Sequence, residues 1–390
     1  MRRVRLKEIG TFYSGLSGKS KSDFSEGNAL LVTYRNIFNN PVLNPAIKDT
    51  VVVGKDEKQN EVLWGDILIT GSSETPADAG MSSVVLFNPQ EKMYLNSFCF
   101  GFRLNDMNEA LPSYIGHLLR STSIRAAISK TAFGVTRFNV NRMRFADIEI
   151  PLPPLNIQKE IVSILDSFTS LIDKMKQEVE MRKKQMEYYR EKLMAPQTNW
   201  KIKTLGEIGT FTRGNGLQKS DFRVKGFPCV HYGQIHTYYN TCIYKTKSFC
   251  EEDLAKKLQK ASYGDLLIAT TSEDVKACCK AAVWFGAGDV AYSGDSFCYS
   301  HDQDPKYMAY LFQTEMFAKQ KQKAATGAKV IRVSGESMAS FSFAFPPLVQ
   351  QRQIASILDT FESYISKLEK MIELRQKQYE YYREKLLTFE

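Results

Sequence analysis

The chain has 390 residues, 43% of them apolar and 24% charged, which fits a globular protein of two or three domains. Its net charge of +9 and pI near 9.0 favour an acidic partner, with nucleic acid the first candidate. No apolar run approaches the ~20 residues that cross a bilayer, and Met1-Arg-Arg-Val-Arg-Leu-Lys-Glu lacks the apolar core of a signal peptide, so a cytoplasmic chain is expected.

In chain order, the first segment carries short β-branched runs bounded by Gly, Asn and Pro: Leu30 to Tyr34, Val51 to Val53, Ile67 to Thr70, Val84 to Phe87 and Phe98 to Phe102. These predict strands. Pro112-Ser-Tyr-Ile-Gly-His-Leu-Leu-Arg120 puts Tyr114, Ile115, Leu118 and Leu119 on one face and predicts a helix starting at its proline. After Pro153-Pro154-Leu155 comes a long helix with seam rows Ile161, Phe168, Met175, Arg182, Tyr189 and Leu165, Ile172, Val179, Met186, Leu193. Then the chain repeats itself. Leu205-Gly-Glu-Ile-Gly-Thr-Phe211 echoes Leu6-Lys-Glu-Ile-Gly-Thr-Phe12, and Lys219-Ser-Asp-Phe222 echoes Lys21-Ser-Asp-Phe24. Tyr263-Gly-Asp-Leu-Leu-Ile268 echoes Trp64-Gly-Asp-Ile-Leu-Ile69, and Ser296-Phe-Cys298 is matched to Ser97-Phe-Cys99. Pro305-Lys-Tyr-Met-Ala-Tyr-Leu-Phe312 is the second proline-led helix, and Pro346-Pro347-Leu348 opens a second long helix with rows Ile354, Phe361, Leu368, Arg375, Tyr382 and Leu358, Ile365, Ile372, Tyr379, Leu386. Both long helices end in Tyr-Tyr-Arg-Glu-Lys-Leu, at 188–193 and 381–386. Asn28 to Asp56 has no recognisable counterpart in Phe227 to Cys250.

The order is therefore A-B-A′-B′: globular segments at 1–151 and 197–344, helical segments at 152–196 and 345–390. The expected fold class is α+β, with two mixed α/β domains in tandem. A 3-4-3-4 apolar spacing over about five heptads predicts a left-handed coiled coil. Parallel in-register helices would bring Arg182 and Arg375 together in an apolar seam. An antiparallel pair about Met175 and Leu368 instead puts Arg182 near Phe361 and Arg375 near Phe168, a cation–π arrangement. Helices of this length span roughly 55 Å and would hold the domains apart about a pseudo-two-fold axis. Between Ile157 and Leu193 eight Lys/Arg face seven Asp/Glu, so the surplus positive charge lies mainly in the globular segments.

Motifs for catalysis are few. Gly18-Lys19-Ser20 resembles the end of a phosphate-binding loop, but Tyr13 stands where that loop needs its first glycine. No Asn/Asp-Pro-Pro-aromatic tetrapeptide is present. Seven cysteines, six of them after position 200, do not form a disulfide framework. Cys229, His231, His236 and Cys242 have no usual zinc spacing and read as a reduced, partly buried group; no metal or other cofactor is assigned to the chain. Loops mixing Lys/Arg with hydroxyl and amide groups suit phosphate and base contact. In the first domain these supply Lys19, Lys21, Ser22, Arg35, Asn36, Ser72, Ser73, Thr136, Arg137 and Asn139. In the second they supply Gln218, Lys219, His231, Tyr232, Gln234, His236, Thr270, Thr271, Lys329 and Arg332. Off the helix seam, Tyr188, Arg190, Lys192 and Tyr381, Arg383, Lys385 form a twice-repeated aromatic-basic face, read as a docking surface for two identical protein partners.

The repeated Gly-Asp-(Ile/Leu)-Leu-Ile, the Gly134-Val-Thr-Arg-Phe-Asn-Val-Asn segment, Pro-Pro-Leu-x-x-Gln (Gln158, Gln351) and Tyr-Tyr-Arg-Glu-Lys-Leu, in this order and twice, resemble the specificity subunit of type I restriction–modification enzymes. The resemblance covers essentially the whole chain. It implies a non-catalytic reader of double-stranded DNA, with one domain for each half of a split site. It also implies two methyltransferase subunits and two restriction subunits as partners, which bind S-adenosylmethionine, ATP and Mg. The alternative is a self-sufficient bivalent DNA-binding regulator or architectural protein. One departure stands out: Gly327-Ala-Lys-Val-Ile-Arg replaces Gly134-Val-Thr-Arg-Phe-Asn, which puts a common role for that loop in question.

Overall fold

A computed structural model describes residues 2–24 and 26–389. The chain divides into two compact units. The first comprises Met1–Lys176 with Lys370–Glu390, the second Gln177–Glu369. Each contains a globular domain and segments of both long helices, α1 (Leu155–Leu193) and α2 (Leu348–Leu387).

In the first unit an antiparallel sheet runs Gly10–Ser14, Cys99–Leu104, Ile67–Thr70, Ser82–Val84. The strand Ile67–Thr70 is buried throughout, and its Ile67-Leu68-Ile69 run is apolar because both faces are covered. Ile67 and Ile69 pack into one core, while Leu68 between them packs into another. A second sheet runs Thr50–Val51, Ala29–Val32, Met93–Leu95. Arg2–Arg5 pairs with Glu149–Leu152, so the domain closes just before α1 leaves it. The second unit repeats the plan with Gly209–Arg213, Ser296–His301, Leu266–Ala269, Lys280–Trp284, Cys242–Ile243 in one sheet. Its second sheet holds Phe227–Val230 between Ser248–Cys250 and Val290–Tyr292, with Lys260–Ala261 beyond. Leu266 and Ile268 again face one core, and Leu267 the other.

Three sequence expectations for the globular domains need correction. The segment Asn28 to Asp56 does have a counterpart: Ala29–Val32 and Phe227–Val230 each lie parallel to one strand and antiparallel to another, and each leads into a short helix, Tyr34–Asn39 or Tyr232–Thr237. Thr33 caps the first helix through its hydroxyl, which ends the strand before Tyr34. The match of Ser97-Phe-Cys99 to Ser296-Phe-Cys298 is out of structural register, because Ile67 pairs with Phe102 while Leu266 pairs with Tyr299. The strand assigned to Val84 to Phe87 is instead Ser82–Val84.

The long helices pack antiparallel. Within the second unit Tyr189 stacks on Phe361 with ring centroids 5.5 Å apart, and Lys183 pairs with Glu369 at 2.9 Å, so the partner position rises as α1 is followed backwards. In the first unit Phe168 stacks on Tyr382 at 5.4 Å. The register therefore differs by one heptad from that expected. The Arg182 guanidinium lies 5.4 Å from the Tyr364 ring, not against Phe361, and Arg375 donates to Gln378 at 2.7 Å. Aromatic stacking decides between registers that the apolar rows alone make equivalent.

Each helix starts on a buried glutamine. The Gln158 amide oxygen accepts from the Leu111 N–H at 2.9 Å, and its nitrogen donates to the carbonyls of Glu109 (2.9 Å) and Pro153 (2.8 Å). Gln351 accepts from the Asp304 N–H at 3.0 Å and donates to the Gln303 side chain (2.6 Å) and the Pro346 carbonyl (2.9 Å). Gln158→Leu keeps the volume but leaves buried backbone groups unpaired. It should destabilise the chain by ~2–4 kcal/mol, read as a lowered denaturant midpoint, whereas an exposed neighbour such as Lys159→Leu should stay within ~0.5 kcal/mol.

Candidate nucleic-acid interface

Two hairpins carry exposed side chains of the predicted set. In the first unit Ala132–Phe133 pairs with Phe138–Val140, which pairs in turn with Ser72–Ser73. In the second, Ile331–Arg332 pairs with Thr271–Ser272. Both turn through a glycine of positive φ, Gly134 at 130° and Gly327 at 100°. A β-carbon there would lie 2.0 Å from the Arg137 carbonyl oxygen or 2.1 Å from that of Val330, so only glycine permits the turn. The strand that follows is pinned alike, by Val140 N–H to the Gly71 carbonyl at 2.8 Å and Val333 N–H to that of Thr270 at 3.4 Å. The divergent loop sequences thus share one backbone. What differs is the display: Arg137 and Asn139 stand where the second copy has Val330 and Arg332. Thr136, Arg137, Asn139, Lys329 and Arg332 are exposed. Arg137 lies 5.5 Å from the exposed Phe98 ring.

Several other predicted contacts are consumed inside the fold. Lys19 is ion-paired to Glu57 at 2.5 Å with 8% of its side chain exposed. Asn36 bonds to the backbone of Asn44 and the side chain of Asn40, holding the turn after its helix. Ser72, Ser73, Thr270 and Thr271 are buried, the Thr271 hydroxyl donating to Asp295 at 3.2 Å. The segment richest in expected base readers turns inward. His231 is the buried cap of helix Tyr232–Thr237, its Nδ1 accepting from the Gly233 N–H at 3.2 Å. The Gln234 side chain reaches the His231 N–H and the Ser248 hydroxyl, and His236 Nε2 meets the Thr271 carbonyl at 2.9 Å. Tyr232 is half-buried beside His231. Cys229 lies in the core, and among the described residues no three His, Cys, Asp or Glu side chains converge as a metal-holding group. Lys21, Ser22, Arg35, Gln218 and Lys219 are at the surface.

On the helix ends, Tyr188 and Tyr381 are exposed, with Lys192 5.8 Å from the first ring and Lys385 6.0 Å from the second. Arg190 and Arg383 are mostly covered and turn toward their own units: Arg190 to Gln313, Glu187 and Glu191, and Arg383 to Glu384 and the Tyr379 ring. The glutamate of the repeated phrase holds a neighbouring helix. Glu384 accepts from the Thr122 N–H at the start of Thr122–Ser129. Glu191 accepts from the Glu315 N–H at the start of Glu315–Ala324.

Sequence reading missed one pair of positioning residues. Arg125 donates to the carbonyls of Ala77, Ala79 and Gly80 at 2.6–2.7 Å, and Lys321 to those of Lys276 and Cys278 at 2.9 and 2.8 Å. Both cations fix the loop that follows Ser72–Ser73 or Thr271–Ser272. They come from non-equivalent helix positions, since Ala318 stands at the place of Arg125 and Ile128 at the place of Lys321. Repeat comparison therefore hides them. The one available signal is Lys321 four residues after buried Phe317, on the apolar face of its helix.

The sequence profile of the type I restriction modification DNA specificity domain matches residues 1–181 and again 197–376. The chain belongs to this family. Among relatives of this specificity subunit, a putative type I restriction enzyme specificity subunit from Haemophilus influenzae is 30% identical over 272 residues, 66% of this chain and 68% of that one. The specificity subunit of an Escherichia coli type I restriction enzyme is 28% identical over 256 residues, 62% of this chain and 63% of that one. The fold matches the crystal structure of a type I S subunit from M. genitalium with TM-score 0.55 and 15% identity, over 100% of this chain and 96% of that one. It also matches a chain from work on complex assembly and conformational transition of a type I system, with TM-score 0.60 and 14% identity, over 99% and 97%. Among the described residues no helix is long and apolar enough to cross a membrane.

Burial, and secondarily the charge of Lys219, push the His231 pKa below its ordinary value. The unfolded chain takes up a proton near pH 6.5 that the folded cap resists, so the cap contributes fully above that pH and is lost as pH falls through the depressed native value. Protection of the 232–237 amides against exchange, taken relative to the intrinsic rate at each pH, should fall as pH drops below about 6.5. His231→Asn, which keeps a cap acceptor, should abolish that fall.

Proposed function

We propose that this specificity subunit reads a bipartite, asymmetric DNA site without catalysing any step itself. The observation that carries the reading is the repeated hairpin: one backbone, pinned the same way, bearing Val135, Thr136, Arg137 and Asn139 in one copy and Ala328, Lys329, Val330 and Arg332 in the other. Equal scaffolds with unequal side chains suit two readers of unequal half-sites. Arginine at such tips offers two donors to a guanine edge, asparagine a donor and an acceptor to an adenine edge, and lysine offers phosphate contact.

In this reading 1–151 and 197–344 are the target-recognition domains, and the helical segments 152–196 and 345–390 set the spacing between half-sites. Tyr188 with Lys192, and Tyr381 with Lys385, serve as equivalent docking points for two methyltransferase subunits; two restriction subunits complete the cytoplasmic complex. Adenine methylation with S-adenosylmethionine, and cleavage driven by ATP and Mg, belong to those partners.

Mapping methylated adenines in a host with and without the gene should reveal a split motif that disappears on deletion. Exchanging residues 200–345 for another domain should change one half of that motif and leave the other. A motif unaffected by the exchange would overturn the reading. Arg137→Ala and Arg332→Ala should each cost ~1–3 kcal/mol of discrimination at opposite halves, measured with the assembled methyltransferase on single-base-substituted duplexes. Tyr188→Ala with Tyr381→Ala should weaken methyltransferase assembly while leaving the melting temperature nearly unchanged; loss of folding would instead mark both rings as structural.

A further inference from the structure

The second domain carries two adjacent cysteines at a strained point of its backbone. Cys279 has φ 61°, the one positive φ among the described non-glycine residues. The equivalent place in the first domain is Gly80, with φ 68°. A left-handed residue is what glycine tolerates and an L-side chain resists, so the cysteine is held against backbone preference. The two thiols touch, with sulfurs 3.9 Å apart, and both face a cavity of about 690 Å³ that Asp274, Lys276 and Lys321 also line.

Their surroundings are unequal. A hydrogen bond from Cys279 pushes the Cys278 pKa down, aided by the Lys321 ammonium and by the backbone N–H groups of Cys279 and Val333. Cys279 is pushed up by the same contact and by burial. One sulfur is thus prepared as the nucleophile, and its neighbour keeps its proton. The Cys278 thiol also donates to the Thr270 carbonyl at 3.1 Å, and its sulfur lies 4.0 Å from the Ile331 carbonyl. It sits beneath both strands of the second hairpin.

We propose that Cys278 and Cys279 are a reversible oxidation site for hydrogen peroxide, closing to a disulfide between adjacent residues. The Cys278 thiolate attacks one peroxide oxygen; an S–O bond forms, the O–O bond breaks, and the departing hydroxide takes up the thiol proton as water. The Cys279 sulfur then attacks the sulfenic sulfur; the S–S bond forms, and hydroxide leaves with the Cys279 proton as a second water. The dithiol supplies both electrons. Cα atoms of adjacent residues are ~3.8 Å apart, below the usual disulfide span of ~4.4–6.8 Å. The product is therefore strained and readily returned to the dithiol by exchange with reducing thiols. Closure removes the S–H bond to Thr270, whose carbonyl keeps the Val333 N–H at 3.4 Å, and so loosens the hairpin. Its effect on DNA rests on the reading above; the thiol chemistry does not.

The test treats the full chain with dilute hydrogen peroxide, alkylates the remaining thiols and digests with trypsin, which cuts after Lys276 and Lys280. The peptide 277–280 should lose two hydrogens about tenfold faster than half-buried Cys242 is modified, and dithiothreitol should reverse the loss. Cys279→Gly, which the backbone accommodates as Gly80 does, should stop at a Cys278 sulfenic acid trapped by dimedone. Amide exchange across 326–333 should rise on oxidation of the native chain and not of this variant. If 277–280 stays reduced while Cys242 reacts, or oxidises without forming the disulfide, the site is overturned. Either result leaves the DNA reading standing, since that reading is tested by the domain exchange.

Discussion

Each long helix begins on an amide that is fully buried and fully used. Gln158 and Gln351, both buried, join the first turn of a helix to the loop preceding a proline-led helix of the same unit, and their bonds go to backbone groups and, for Gln351, also to the Gln303 side chain. A buried amide with one partner missing costs more than the bond itself contributes, so the junction has one acceptable geometry. At their other ends the helices are fixed by Glu191 and Glu384, each closing the start of a short helix with its carboxylate, where the helix dipole also favours negative charge. The rest follows from these anchors. A heptad stripe alone would leave the helices free to slip by seven residues, and a fixed first turn and last turn do not allow it.

The same economy explains which polar residues face outward. Each domain meets its backbone's needs with side chains that sequence reading assigns to DNA: His231 caps its helix as Thr33 caps the equivalent one, Asn36 and Gln234 brace these helices, and Thr271 holds Asp295. Exposed, uncommitted chemistry remains at the hairpin tips, where the backbone is satisfied by its neighbouring strand and the side chains have no structural task. Side chains can change there without refolding the domain.

Much of this was legible in the sequence. The repeat, the proline-led helices and the two long helices rest on periodic burial, which the order of apolar residues states directly, and the antiparallel direction follows from keeping Arg182 and Arg375 apart. Two things were not. The match between Asn28–Asp56 and Phe227–Cys250 was invisible because a strand–cap–helix unit needs only apolar alternation and some cap, and threonine and histidine both serve. The fate of His231 and Lys19 was hidden because a polar residue looks the same in a sequence whether it faces solvent or a buried N–H. The helix register failed for a related reason: heptad rows are degenerate, and the stacking of Phe168 on Tyr382 and Tyr189 on Phe361 that resolves them depends on geometry that spacing does not rank.

The division of the chain into units carries a consequence for its synthesis. The first unit is discontinuous: it needs Lys370–Glu390 to complete it. On a ribosome, its own domain and the first half of α1 emerge early, with Ile161, Leu165 and Ile172 bare of the residues that will cover them. The segment bearing Ile372, Tyr379 and Leu387 arrives only after the whole second unit has been made. The apolar face of that half-helix must therefore wait unpaired through much of translation. The chain's order of manufacture, rather than its final stability, is where this protein is most exposed to misassembly.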